Sequence, residues 1–262
     1  MTSAPRHPSK RPQIARLSVF DLAGVLHAGW RDFRRAPLFG LFFSAVYVLG
    51  GFGLTVAGAG ALAWTLVLSL GFPLLAPFAA VGLYEVSRRI ASGEALRWPD
   101  ILGVVWNERG RQVPWIGAIL VIVFLFWSFF AHMSFALFLG RATLINITTS
   151  FEALYSGDGL IMLAFQVVVG AFVALLVFAI TVVSMPLLLD REFDFVTAML
   201  ISIRTFRQNQ AVLLVWAVFI AVALLVGMAP FFLGLLVVLP TLGHATWHLY
   251  KRALIFDAPP VR

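Results

Sequence analysis

Four charge-free windows divide the chain. Ala36–Tyr84 and Gln208–Tyr250 are each about twice as long as one membrane-crossing helix requires, whereas Gln112–Gly140 and Gly159–Leu189 each suit a single helix. Helix-breaking residues interrupt the two long windows near their middles, at Gly58-Ala59-Gly60 and at Gly227-Met228-Ala229-Pro230. The pattern predicts an all-α polytopic membrane protein with six transmembrane helices, the first two near residues 38–57 and 61–84.

Between these windows, apolar residues recur with helical period. Val19, Leu22, Leu26, Trp30 and Phe33 form one stripe, with Asp21, Arg31 and Arg35 on the other side. Phe195/Val196, Met199/Leu200, Ile203 and Phe206 repeat it, and Trp98, Ile101/Leu102 and Val105 do so more weakly. Such amphipathic helices are expected to lie flat on the cytoplasmic leaflet. A further surface helix is expected on the opposite side, from Leu144, Ile147, Phe151 and Leu154/Tyr155.

An internal repeat emerges from these segments. Asp21, Arg31, Phe33 and Arg34 have the spacing of Asp194, Arg204, Phe206 and Arg207, and Arg34–Gly40 resembles Arg111–Gly117. A late proline follows in each repeat: Pro77, Pro186 and Pro240. The expected organisation is a disordered cytoplasmic tail over 1–18, a single transmembrane domain over 19–255, and a short cytoplasmic tail over 256–262. The domain divides into units of about 19–84, 98–189 and 193–250, each a surface helix followed by a transmembrane pair.

Composition supports the class: 61% of the 262 residues are hydrophobic, 12% are charged, and the mean hydropathy is +0.96. A water-soluble globule carries about twice that share of charge. The net charge of +7 does not point to nucleic acid. Of the 19 Lys and Arg, only Arg141 falls on one side of the membrane and the rest on the other, so both termini are expected in the cytoplasm. No apolar run precedes Ala36, so no cleavable signal peptide is expected. With no cysteine, disulfides, iron–sulfur sites and covalently attached haem are excluded.

Chemistry-bearing residues gather at predicted helix ends. His244 and His248 are four apart and share a helix face, but His132 is about 28 Å along its own helix from the cytoplasmic end, near the outer surface, whereas His248 is near the cytoplasmic face, so a metal or haem site lacks a third ligand. The windows contain no Asp, Glu, Lys or Arg for ion coupling. No Ser/His/Asp or Cys/His constellation is apparent. Kinks at the three prolines are expected to open a shallow cytoplasmic vestibule ringed by Tyr84, Glu85, Arg88, Asp190, Arg191, His244 and His248, suited to a lipid headgroup, an anion or a partner segment. No catalytic, cofactor or metal residue is assigned.

Three stretches carry a likeness: Ala28–Pro37, Ala76–Glu94 and Pro240–Arg252. Together they resemble the bacterial integral-membrane family called domain of unknown function 2189. The resemblance implies a multi-pass protein of the bacterial cytoplasmic (inner) membrane and brings no catalytic residues with it. The expected function is non-enzymatic: binding membrane lipids, or association with other membrane-protein subunits. A channel- or permease-like protein for a small solute is the alternative, and a haem-binding redox protein a third.

Overall fold

The computed structural model describes residues 11–56, 62–140 and 156–256. Its helices are α1 (Val19–Arg35), α2 (Pro37–Val56), α3 (Leu62–Ser92), α4 (Trp98–Glu108), α5 (Val113–Leu139), α6 (Gly157–Thr181), α7 (Ser184–Asp190), α8 (Phe195–Gln208), α9 (Gln210–Met228) and α10 (Leu235–Ala253). Two short strands, β1 (Gln13–Ile14) and β2 (Leu254–Ile255), pair antiparallel, Gln13 opposite Ile255. The fold is all-α apart from that pair. Among the described residues, three stretches are long and apolar enough to cross a membrane: α5, the α6–α7 run Gly157–Asp190, and α9. Pro37–Gly50 is a shorter apolar helix. The predicted break at Gly58-Ala59-Gly60 and the predicted helix around Leu144–Tyr155 lie outside the described residues.

Helices α1 and α8, expected to lie flat on the leaflet, pack against the bundle. α1 packs along α10, and its buried face is Leu22, Val25, Gly29, Asp32 and Phe33, while Val19, Phe20 and Trp30 point outward. On α8 the buried residues are Ala198, Ile201, Ser202 and Thr205, with Val196 and Leu200 outside. In both helices the expected apolar stripe is therefore split. The face with small or polar residues lets the helix approach the bundle closely, and part of the bulky apolar set is left outward, where lipid can solvate it. α4 is anchored through Ile101, which is fully buried against Phe39, Leu83 and Val86.

A buried core forms where these helices meet the ends of α3, α7 and α10, and Tyr84, Leu187, Leu188, Leu189, Trp216, Trp247 and Tyr250 belong to it. The tail expected to be disordered joins it from residue 11 onward. Ala15 N–H donates to Ala253 O (2.9 Å), Leu17 N–H to Asn209 Oδ1 (2.7 Å), and Asn209 Nδ2 to Ala15 O (3.0 Å). Leu17 is buried. The correction has a plain cause: the chain's backbone groups are satisfied by β2 and one asparagine, an arrangement that leaves no periodic signature.

The three prolines are not equivalent. Each is buried, yet α3 and α10 run on through Pro77 and Pro240, whereas the run carrying Pro186 breaks at Val182–Val183. The three prolines therefore sit in different backbone contexts, one beside a helix break and two inside continuous helices. At the break, Ser202 on α8 repairs the backbone: its hydroxyl donates to Ala179 O (2.7 Å) and accepts from Val183 N–H (3.3 Å). Ser202→Ala leaves both groups buried without that partner and is expected to destabilise by about 1–3 kcal/mol. Comparing thermal unfolding of wild type, Ser202→Ala and Ser202→Thr in detergent checks this, with Thr expected to retain most of the stability.

As expected, α9 ends at Met228 and a turn leads to α10. Phe231 (φ 50°) and Phe232 (φ 65°) take the left-handed conformation there, a strain of order 1–2 kcal/mol per residue. Gly227 and Gly234 meet back to back: a Cβ on Gly234 would lie 2.7 Å from Gly227 O.

Candidate functional site

A buried polar chain joins α1, α3 and α10. Ser87 Oγ lies 2.9 Å from Asp32 Oδ2 and 2.8 Å from His244 Nδ1, and His248 Nε2 lies 2.7 Å from the same Asp32 oxygen. Asp32, Ser87 and His244 are all buried. A serine hydroxyl has one proton, and donating it to the carboxylate obliges His244 Nδ1 to donate to Ser87. The four groups thus run from His244 through Ser87 to Asp32, with His248 donating to Asp32 from the other side.

This Ser/His/Asp grouping is absent from the sequence-level expectation, which corrects that expectation. Its order differs from a hydrolytic triad, where the imidazole stands between hydroxyl and carboxylate. Here the hydroxyl stands between the two, and no bond joins His244 to Asp32. The arrangement locks three helices together. Burial raises the Asp32 carboxyl, but the hydrogen bond from His248, the nearby imidazole charge and the Ser87 hydroxyl outweigh it and hold the group below its ordinary value.

For a carboxyl depressed on folding, the stabilisation is complete above the unfolded pKa and is lost as pH falls through the folded one. Melting temperature is therefore expected to fall as pH drops below about 4. Asp32→Asn should flatten that acid limb, and an unchanged limb would contradict the assignment.

The remaining charges form separate clamps. Glu85, fully buried, receives Arg88 in a fork (Nε 2.8 Å, Nη2 2.8 Å) and Arg89 Nε (2.7 Å). Arg88 also reaches Glu94 (2.7 Å), and Arg89 reaches Ala95 O (3.1 Å) and Asp100 (3.5 Å). The hydrogen bond from Arg88, then the Ser92 hydroxyl, lower the Glu94 carboxyl to about 2. Between them Gly93 takes φ +72°, a left-handed turn that favours glycine. The segment from Glu85 to Glu94 is thus a corner clamp turning the chain from α3 toward α4.

Tyr250 donates to Asp190 (2.7 Å), with Lys251 at 3.4 Å and Arg191 at 3.7 Å, and the Arg191 guanidinium stacks on Phe256 at 4.3 Å. Arg111 bridges Glu108 and Glu192, joining the start of α5 to the loop before α8.

Seven residues were expected to ring one open vestibule, and the structure distributes them differently. Tyr84 packs in the core, Glu85 and Arg88 belong to the α3 clamp, Asp190 and Arg191 to the Tyr250 cluster, and His244 and His248 to the polar chain. Tyr84, Glu85, Asp190, Arg191 and His244 are buried, because charges within the helix ends find partners in the bundle before they find solvent. Of the seven, His248 lines a cleft.

That cleft, about 500 Å³, runs between α1 and α10. Phe20, Gly24, Val25 and Ala28 form its α1 wall, and Asp21, His248, Lys251 and Arg252 supply its polar groups. Arg252 pairs with Asp21, which also accepts from Ser18 N–H (2.8 Å) and Oγ (3.0 Å). Phe20, 90% exposed, stands at its edge. Among the described residues no cluster of three or more His, Asp or Glu could hold a metal ion. His132 bonds within its own helix, to Ser128 O (2.7 Å).

The three stretches that carry the likeness converge here. Gly29 and Asp32 come from the first, Ser87 from the second, and His244, Ala245 and His248 from the third. A family model described as "Predicted integral membrane protein (DUF2189)" matches residues 65–190. The match contains the Glu85–Glu94 clamp and Ser87, and ends at Asp190. No curated protein and no solved structure matches the chain.

Proposed function

We propose that this integral membrane protein holds an anionic phospholipid headgroup at its cytoplasmic rim, without catalysing a reaction. The observation that carries this reading is the α1/α10 cleft. Lys251 and Arg252, set against Asp21, bring more positive than negative charge to a pocket whose α1 wall is apolar. A phosphodiester beside such groups gains charge-assisted hydrogen bonds, and an adjoining acyl chain gains apolar contact. The outward Val19, Phe20 and Trp30 of α1, and Val196 and Leu200 of α8, are suited to the same leaflet.

The reading includes six spans in a bacterial cytoplasmic membrane, with both termini inside and three units in series. What supports the units is element order: α1, α4 and α8 each precede two longer helices, α2/α3, α5/α6 and α9/α10. Cysteine placed at Ser150 is expected to react with a membrane-impermeant thiol reagent on intact cells, while cysteine at Ser92 stays protected. The reverse labelling would overturn the orientation. The headgroup itself is tested by melting the detergent-purified protein with added phosphatidylglycerol or phosphatidylcholine. Phosphatidylglycerol should raise the midpoint more, and Lys251→Ala should remove most of the difference; equal shifts from both lipids would refute the site.

A further inference from the structure

A second concavity, of about 630 Å³, lies between α3 and α4 and is lined by Phe78, Leu102, Gly103, Val105, Trp106 and Arg109. Its size is that of small-molecule sites, roughly 300–1,000 Å³. Apart from Arg109 its lining is apolar, so it suits a hydrocarbon and offers little to a sugar, nucleotide or metal. Arg109 closes one end, its guanidinium 3.5 Å from the centroid of the Trp106 ring. Glu108 next to it is taken up by Arg111, which also holds Glu192. Among the described residues Arg109 forms no ion pair, so its charge is available to an anion. Trp106 is exposed, with Trp98 and Leu102 half-turned outward on the same helix, the arrangement of a helix seated at the headgroup level.

We propose that this groove holds one acyl chain of a phospholipid whose phosphate rests on Arg109. The site is separate from the α1/α10 cleft, and rests only on the reading that α4 lies at the membrane surface. Charge complementarity selects this occupant: a hydrocarbon groove ending in one guanidinium that stacks on Trp106 but forms no ion pair among the described residues matches a molecule with a long apolar chain and one phosphate.

Gly103 makes the test clean. A Cβ built there meets nothing within 4 Å, so Gly103→Ala serves as the control that leaves the groove open, while Gly103→Trp directs a bulky ring into it. The full-length protein in detergent is mixed with stoichiometric phosphatidylglycerol bearing a photoreactive group on its acyl chain, irradiated, and the labelled peptides identified by mass spectrometry. Labelling is expected on the Leu102–Arg109 peptide, unchanged in Gly103→Ala and reduced about tenfold in Gly103→Trp.

Arg109→Gln should keep acyl labelling but abolish the preference for the phosphatidylglycerol probe over a neutral diacylglycerol probe. Gly24→Trp, which obstructs the other cleft, should leave labelling of α4 unchanged, so the two sites fail independently. Labelling that persists in Gly103→Trp, or equal labelling by both probes in the wild type, would overturn the proposal. So would a co-purified protein found cross-linked to this peptide instead of lipid.

Discussion

Asp32→Ala is expected to loosen α1 from the bundle and to cost roughly 3 kcal/mol, as two hydrogen bonds to a charged group are lost at about 1.5–3 kcal/mol each. The discount from their sum reflects His248, which is partly exposed and can turn to solvent. Ser87 has no such escape: it is fully buried, and without the carboxylate its hydroxyl has only the His244 nitrogen nearby at 2.8 Å. Asp32→Asn keeps the shape and one acceptor and should cost less. Thermal unfolding in detergent, with limited proteolysis as a probe of the α1 region, measures both. A loss under about 1 kcal/mol in Asp32→Ala, with no new cleavage, would mean that the polar chain does not hold α1.

Gly29→Ala is expected to be as damaging from the addition of one methyl group. The new Cβ would stand 2.5 Å from Thr241 O, 2.6 Å from Ala245 N and 2.8 Å from Ala245 Cβ. Two of these are backbone atoms of α10, so no side-chain rotation relieves the clash and the helices must separate. Overpacking of this kind typically costs about 1–3 kcal/mol and occasionally more. Separation would also stretch the nearby His248–Asp32 contact, which places this variant toward the upper end. Gly24→Ala, on the same helix but with nothing within 4 Å, should instead stabilise by about 0.5–1 kcal/mol, the ordinary gain of alanine over glycine in a helix. Equal effects at the two positions would show that α1 does not contact α10 as described.

What the sequence disclosed follows from which residues announce themselves by pattern. Charge-free length revealed α5, the α6–α7 run and α9, since desolvating a charge in lipid is costly. His244 and His248 could be paired from their spacing alone. Their partners could not, because neither Asp32 nor Ser87 stands in any pattern that sets it apart from its neighbours in the sequence. One clue was present: Asp32 lies three residues after Gly29 and seven after Val25, on a face that a close helix approach would bury.

Glu85 illustrates the opposite error. Its position before Arg88 and Arg89 was read as a rim charge open to ligands, yet the spacing of three and four residues is also that of internal helical pairing, and the structure uses it so. Pairing of Gln13–Ile14 with the distant Leu254–Ile255 left no local trace at all.

Retention of lipid by the full-length protein tests the proposed role most directly. Native mass spectrometry after purification in mild detergent with equimolar phosphatidylglycerol and phosphatidylcholine should show phosphatidylglycerol bound to the wild type. Gly24→Trp, which fills the α1/α10 cleft, should lose one such lipid, as should Lys251→Ala. An unchanged number of bound phosphatidylglycerols in both variants, or no preference between the two lipids in the wild type, would contradict a headgroup site in that cleft.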